Sequence, residues 1–155
     1  MGAAYFYHLT RAPLEATLPT LLDRARQAGW RVAVRGRSKD RMVWLDDKLW
    51  LGGDEGFLPH GLAGGPFDKD QPVLLTTEAD SPNGAACVMA VDGAEVTPEE
   101  VNTLERVCIL FDGNDHTAVE IARDQWRKLT GAGCAAQYWS QEDGAWAKKA
   151  ESGGS

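Results

Sequence analysis

Apolar positions recur along the chain with two periods, and the switches between them divide it into alternating strands and helices. Ala3-Ala4-Tyr5-Phe6-Tyr7-His8-Leu9 is rich in aromatic residues and predicts a first strand. From about Leu14 to Ala28, Leu14, Leu18, Leu21, Leu22 and Ala25 fall on one helical face, and Gly29 stands where helices commonly end. Pro19 leaves two readings: it starts the regular helix with Thr17 as its cap, or it kinks a longer one. Trp30 to Val34 predicts a second strand. Ser38 is placed to cap a helix from about Lys39 to Leu49, on which Met42, Leu45 and Leu49 share a face.

The stretch from Gly52 to Gln71 has neither period and predicts the longest loop, of a length at which loops usually carry function. Pro72 to Thr76 and Cys87 to Val91 are unbroken apolar runs, the pattern of strands covered on both faces. Thr97-Pro98-Glu99-Glu100 carries a helix start: a Thr cap, Pro at the first position and Glu at the third. Arg106 to Phe111 predicts another buried strand. Asn114 or Asp115 then caps a helix to about Leu129, and Ala135 to Trp139 predicts a last strand. Strands alternating with helices argue for a single three-layer α/β/α domain with a mostly parallel, Rossmann-like sheet over residues 1–149. Residues 150–155, Ala150 to Ser155, are expected to be a disordered tail.

Composition narrows the class. The 155 residues suffice to bury a core without metals or disulfides. No run approaches the roughly 18 apolar residues of a membrane span, and the N-terminus lacks the basic and apolar regions of a secretory signal, so a cytoplasmic protein is expected. Cys87, Cys108 and Cys134 are odd in number and form no Cys-x-x-Cys pair, which fits reduced thiols. A net charge of -7 opposes nonspecific binding to nucleic acid, because a negative field repels phosphates at long range.

An α/β alternation invites a nucleotide site, yet the chain has neither Gly-x-x-x-x-Gly-Lys-Ser/Thr nor Gly-x-Gly-x-x-Gly between strand and helix. The first strand-to-helix turn, His8 to Pro13, has no glycine to admit a phosphate. His8, His60 and His116 lack zinc-like spacing. Asp46-Asp47 and Glu99-Glu100 read as solvated charges and a cap. No serine sits in a nucleophile elbow. No catalytic residue, cofactor or metal ligand is assigned. The enzyme alternative is a small nucleotide-dependent α/β enzyme with a degenerate phosphate loop.

The unusual chemistry lies instead in Gly56-Phe57-Leu58-Pro59-His60-Gly61-Leu62-Ala63-Gly64-Gly65. Phe57 and Leu58 beside a proline in a glycine-rich loop either tuck into the core or serve another protein. Late in the chain, Arg123, Trp126 and Arg127 fall at i, i+3 and i+4 and so share one helical face. Val119, Ala122 and Leu129 are better placed to reach the sheet, with Ile121 and Gln125 flanking.

The order of these motifs resembles the chi subunit of bacterial DNA polymerase III holoenzyme, a clamp-loader accessory protein. The resemblance rests on Tyr5-Phe6-Tyr7-His8-Leu9, Leu45-Asp46-Asp47-Lys48-Leu49-Trp50, Phe57-Leu58-Pro59-His60-Gly61-Leu62-Ala63-Gly64 and Ala122-Arg123-Asp124-Gln125-Trp126-Arg127, and covers most of the chain. It implies a noncatalytic adaptor that joins the clamp loader through the psi subunit and binds the acidic C-terminal tail of single-stranded DNA-binding protein, meeting DNA only indirectly. The psi-facing surface, which an accessory helicase could also use, maps onto Trp50, Phe57, Leu58, Pro59 and His60. His60 fits a loop-fixing hydrogen bond better than a partner contact. Tail binding maps onto Arg123, Trp126, Arg127 and Lys128: an arginine fork holds carboxylates, and the indole offers an apolar surface to a tail rich in Asp and ending in Phe. Lys128 and Lys148 are expected to add long-range attraction. Gly65 stands where the family often has an acidic residue, and Trp126 and Arg127 replace a common tyrosine and lysine.

Overall fold

The computed structural model describes residues 2–10, 13–51, 60–64, 68–78, 83–142 and 145–152. Eight strands among the described residues form one sheet: β1 (Ala3–Leu9), β2 (Val32–Arg35), β3 (Gly61–Leu62), β4 (Val73–Thr76), β5 (Cys87–Ala90), β6 (Arg106–Asp112), β7 (Ala135–Glu142) and β8 (Ala145–Ser152). Their order is β3-β4-β2-β5-β6-β1-β7-β8, and every pairing is parallel except β7 with β8. Four helices cover it: α1 (Leu14–Gln27), α2 (Lys39–Leu51), α3 (Pro98–Thr103) and α4 (His116–Gly131). The architecture is the mostly parallel α/β domain that the alternating pattern predicts.

The sheet separates two apolar clusters. Leu18, Leu21 and Leu22 of α1 and Met42, Leu45 and Leu49 of α2 pack with Val32, Val34, Cys87, Met89, Cys108 and Leu110 on one face. Val101 of α3 and Ala122 and Leu129 of α4 pack with Phe6, Val88, Val107 and Ile109 on the other. The central strands are buried on both faces, which is why they read as continuous apolar runs rather than alternating ones. All three cysteines are buried and free.

Three expectations change in detail. Helix α1 begins at Leu14 behind Pro13, with Pro19 inside it and Thr17 buried in its second turn, so Thr17 is not a cap. The amides of Ala16 and Thr17 bond the Pro13 carbonyl instead. The long loop contains β3 and a short 3-10 turn, Asp68–Asp70. The third concerns the C-terminal end: Ala150, Glu151 and Ser152 are not a tail but the end of β8, paired with residues 136–138 of β7. Residues 153–155 lie outside the described residues.

The capping signals act as their chemistry predicts. The Thr97 side chain accepts from the Glu100 amide while the Glu100 carboxylate accepts from the Thr97 amide, a complete capping box. The Asp115 carboxylate accepts from the amides of Thr117 and Ala118, starting α4.

Candidate functional site

Helix α4 crosses from β6 to β7 and presents two unlike sides. Ala122, Gln125 and Leu129 face the core. Gln125, polar yet buried, accepts from the Val96 amide at 3.1 Å and donates to the Ala94 carbonyl at 3.2 Å, tying α4 to the segment before α3. Helical spacing marks Gln125 only as flanking; nothing local tells a buried glutamine from a solvated one.

The other side faces β7. Val119, Arg123, Trp126 and Thr130 recur at i, i+4, i+7 and i+11, a stripe along the helix. The half-buried Trp126 indole meets Phe6 edge-on with centroids 5.3 Å apart and Tyr138 edge-on at 6.0 Å. His8 and Phe111 complete the aromatic group around Tyr138, at 5.8 and 6.0 Å. His8 Nδ1 and the Tyr138 hydroxyl are 2.6 Å apart. Burial raises the Tyr138 pKa, and the Arg123 charge partly offsets the rise. Trp126 is therefore both a surface ring and part of the core's edge, a dual role that spacing alone does not disclose.

The four tail-binding candidates on α4 are not equivalent. Arg127 Nη1 lies 3.1 Å from the Asp124 carboxylate, and Lys128 Nζ lies 3.0 Å from the Glu95 carboxylate, away from β7. Arg123 is exposed and has no carboxylate within ion-pair distance among the described residues. Such surface pairs contribute only about 0–1 kcal/mol, so Arg127 and Lys128 remain recruitable, while Arg123 has no such pair to give up among the described residues. Lys148 does not join this group. It pairs across from Trp139, on the face opposite Tyr138, with its ammonium 3.3 Å from Glu151.

At the opposite edge of the sheet, α2 packs on β3 and β4. Trp50 lies in the last turn of α2, its side chain outside the described residues, as are Phe57, Leu58 and Pro59 entirely. His60 is buried, and its Nε2 lies 3.3 Å from the Asp46 carboxylate and 3.4 Å from the Asp46 carbonyl. Asp46 is thus not a solvated charge: the chain emerging from the loop is fastened to α2 through it. The α2 end and the β7 side of α4 lie on opposite faces and toward opposite edges of the sheet.

A crevice of about 670 Å³ opens at the carboxyl ends of the strands, between Arg37, Arg41 and Trp44 on one lip and Asp112, Asp115 and Thr117 on the other. Parallel α/β proteins place nucleotides there. A Cβ at Gly113 would strike the His8 ring, and one at Gly36 the Met42 thioether. These glycines make room for side chains. Among the described residues no group of three or more His, Cys, Asp or Glu is arranged to hold a metal.

Comparison with known proteins agrees with the motif order. A family model described as DNA polymerase III chi subunit, HolC, matches residues 1–137. The chain is also 20% identical over 111 residues to a protein of Rickettsia prowazekii (strain Madrid E) named "Probable DNA polymerase III subunit chi", covering 68% of this chain and 67% of that one. With the family match reaching from the first residue into β7, the chain belongs to the DNA polymerase III chi subunit family, a noncatalytic accessory subunit of that polymerase.

Proposed function

We propose that this chain is a replication adaptor that holds the acidic C-terminal tail of single-stranded DNA-binding protein on the β7 side of α4 and joins the clamp loader, through psi, at the end of α2 and the loop that His60 closes. The observation that carries this reading is Arg123: an exposed guanidinium with no carboxylate partner among the described residues, beside the half-buried Trp126 indole. A carboxylate-rich tail supplies the missing acceptors, and an apolar terminal ring supplies a partner for the indole. In a chain of net charge -7, such local basic character favours an acidic peptide over a duplex, whose binding needs many clustered cations.

Trp50, Phe57, Leu58 and Pro59 form the proposed psi-facing anchor, a role an accessory helicase could share. The end of α2 and the β7 side of α4 lie on opposite faces of the sheet, which suits simultaneous occupation, as a bridge requires. A cytoplasmic location at the replication fork goes with this reading, and among the described residues no helix is long and apolar enough to cross a membrane. Co-purification at native abundance tests the bridge. Phe57→Ala should lose clamp-loader proteins and Arg123→Ala single-stranded DNA-binding protein; loss of the same set with both variants contradicts it.

A further inference from the structure

The two faces of the sheet are unevenly covered near the β7–β8 hairpin. On one face, Ala4, Phe6 and Ala136 of β1 and β7 are buried with Val101 of α3 and with Ala122 and Leu129 of α4. On the other, α1 lies over β2 and β6, and α2 over β3 and β4. Tyr5, Tyr7, Gln137 and Trp139, which β1 and β7 place on that second face, stay only half-buried. We propose that this open part of the sheet is a contact surface for single-stranded DNA. Unpaired bases stack on Tyr7, Trp139 and Trp146, while Arg24, Arg106 and Lys148 meet the phosphates.

The rings form a continuous row. Trp30 and Tyr5 both lie against the Arg106 guanidinium, at 5.2 and 4.3 Å from their centroids. Tyr5 meets Tyr7 at 6.5 Å, and Tyr7 meets Trp146 edge-on at 5.2 Å. Trp146 belongs to β8, two strands from β1, so its indole reaches back across β7. Trp139 stands beside Tyr7 in the register of β1 and β7. Its indole N–H donates to the Gln137 side chain at 3.1 Å, which satisfies the polar edge and leaves the apolar ring as the presented surface. Burial raises the Tyr7 pKa, so the phenol stays neutral and sets no charge against a phosphate. Trp139 and Trp146 lie beyond residue 137, where the family match ends. Half-buried rings spread over neighbouring strands of one sheet face are the means by which sheet domains stack successive unpaired bases.

Charge selects the occupant. Arg24 is exposed on α1, and its charge reaches Tyr7. Neither Arg24 nor Arg106 has a carboxylate within ion-pair distance among the described residues. A guanidinium stacked on rings keeps its N–H edge for a phosphate. Lys148, across from Trp139, adds a third cation; its partner Glu151, at 3.3 Å, also accepts from Gln137. A second copy meeting this face across a two-fold would bring arginines toward arginines, with Glu151 already engaged. An acidic peptide would use the cations and leave the rings without partners. A duplex hides the faces of its bases, and the net charge of -7 keeps the contact weak and sensitive to salt.

The test is fluorescence anisotropy of the full chain with a labelled oligothymidylate of about 15 nucleotides at low salt. Wild type should bind it, less tightly as salt rises, and should bind an abasic strand of equal length about fivefold more weakly or worse. Trp146→Ala should weaken oligothymidylate by about fivefold or more and the abasic strand by less than about twofold, whereas Trp146→Phe should keep most of the binding. Arg24→Glu, at an exposed helix position, should weaken both strands with an unchanged Tm. Arg123→Ala, on the other face, should bind both like wild type. No binding by wild type, equal binding of the two strands, or wild-type binding by Arg24→Glu would overturn the proposal. Loss of binding with Arg123→Ala but not with Trp146→Ala would move the contact to α4 and overturn it too. A preference for the matching oligouridylate would assign the face to RNA, and a dimer in sedimentation that Trp146→Ala disperses would assign it to a second copy; either result contradicts the proposal.

Discussion

The Trp126 indole stands edge-on to the Phe6 ring, 5.3 Å between centroids and 72° between planes, so a residue proposed to meet a partner also closes one edge of the core. Edge-to-face pairs contribute about 0.5–1.5 kcal/mol beyond their buried area. Trp126→Ala should therefore cost about 2–3 kcal/mol of stability, less than the 3–5 kcal/mol of a fully buried tryptophan. Arg123→Ala should cost under about 0.5 kcal/mol, as exposed substitutions do. Urea unfolding of the two variants checks this contrast.

Arg35 and Glu100 set an acid limit on stability. The guanidinium, 5% exposed, meets the carboxylate at 2.6 Å. Burial alone would raise the Glu100 pKa, but the hydrogen bonds from Arg35 and Thr97, with the Arg35 charge, outweigh it and hold the carboxyl below its usual 4.5. A carboxyl lowered on folding adds stability that is complete above the unfolded pKa and is lost as pH falls through the folded one. Wild type should lose this contribution on acidification below about 4.5, the usual carboxyl value. Glu100→Gln should be less stable at neutral pH by about 3 kcal/mol, because it leaves a buried guanidinium without this carboxylate. Its acid limb should be correspondingly shallower. Denaturant melts from pH 7 to pH 3 test both.

Gln125 bridges two backbone groups of the Ala94–Val96 segment. Gln125→Ala would strand a buried amide and carbonyl, at about 1–3 kcal/mol. Hydrogen exchange should show the Val96 amide losing protection more than amides in β1.

His60 fastens the chain after the proposed docking loop to Asp46. His60→Ala should lower stability by about 1–3 kcal/mol through lost buried hydrogen bonding. It should also weaken capture of the loop's partner while leaving acidic-peptide binding intact. Thermal unfolding beside two separate capture assays reads out each part.

The central strands and the helix faces were legible because each buried residue there repeats with a fixed period. Leu45 and Leu49 on α2, or the run Cys87-Val88-Met89-Ala90, need no tertiary context. The hairpin was not. Ala145 to Ser152 has two adjacent lysines and no alternating apolar pattern, its last three residues read as a disordered tail, and only pairing with β7 makes the stretch a strand. Spacing and resemblance single out Arg123, Trp126 and Arg127. Their division into an arginine with no carboxylate partner among the described residues, a core-edge indole and a paired arginine depends on Phe6, Tyr138 and Asp124, which spacing does not bring together. Glu100 was expected as a cap, but its second bond, to Arg35 65 residues away, is a tertiary fact.

The most direct test of the adaptor account is calorimetric titration of an Asp-rich peptide ending in Phe into wild type and into Arg123→Ala. Wild type should bind with a Kd on the order of micromolar that weakens as salt rises. Arg123→Ala should lose at least tenfold in affinity with an unchanged Tm. Equal affinity in the two proteins, or binding indifferent to salt, would contradict the account.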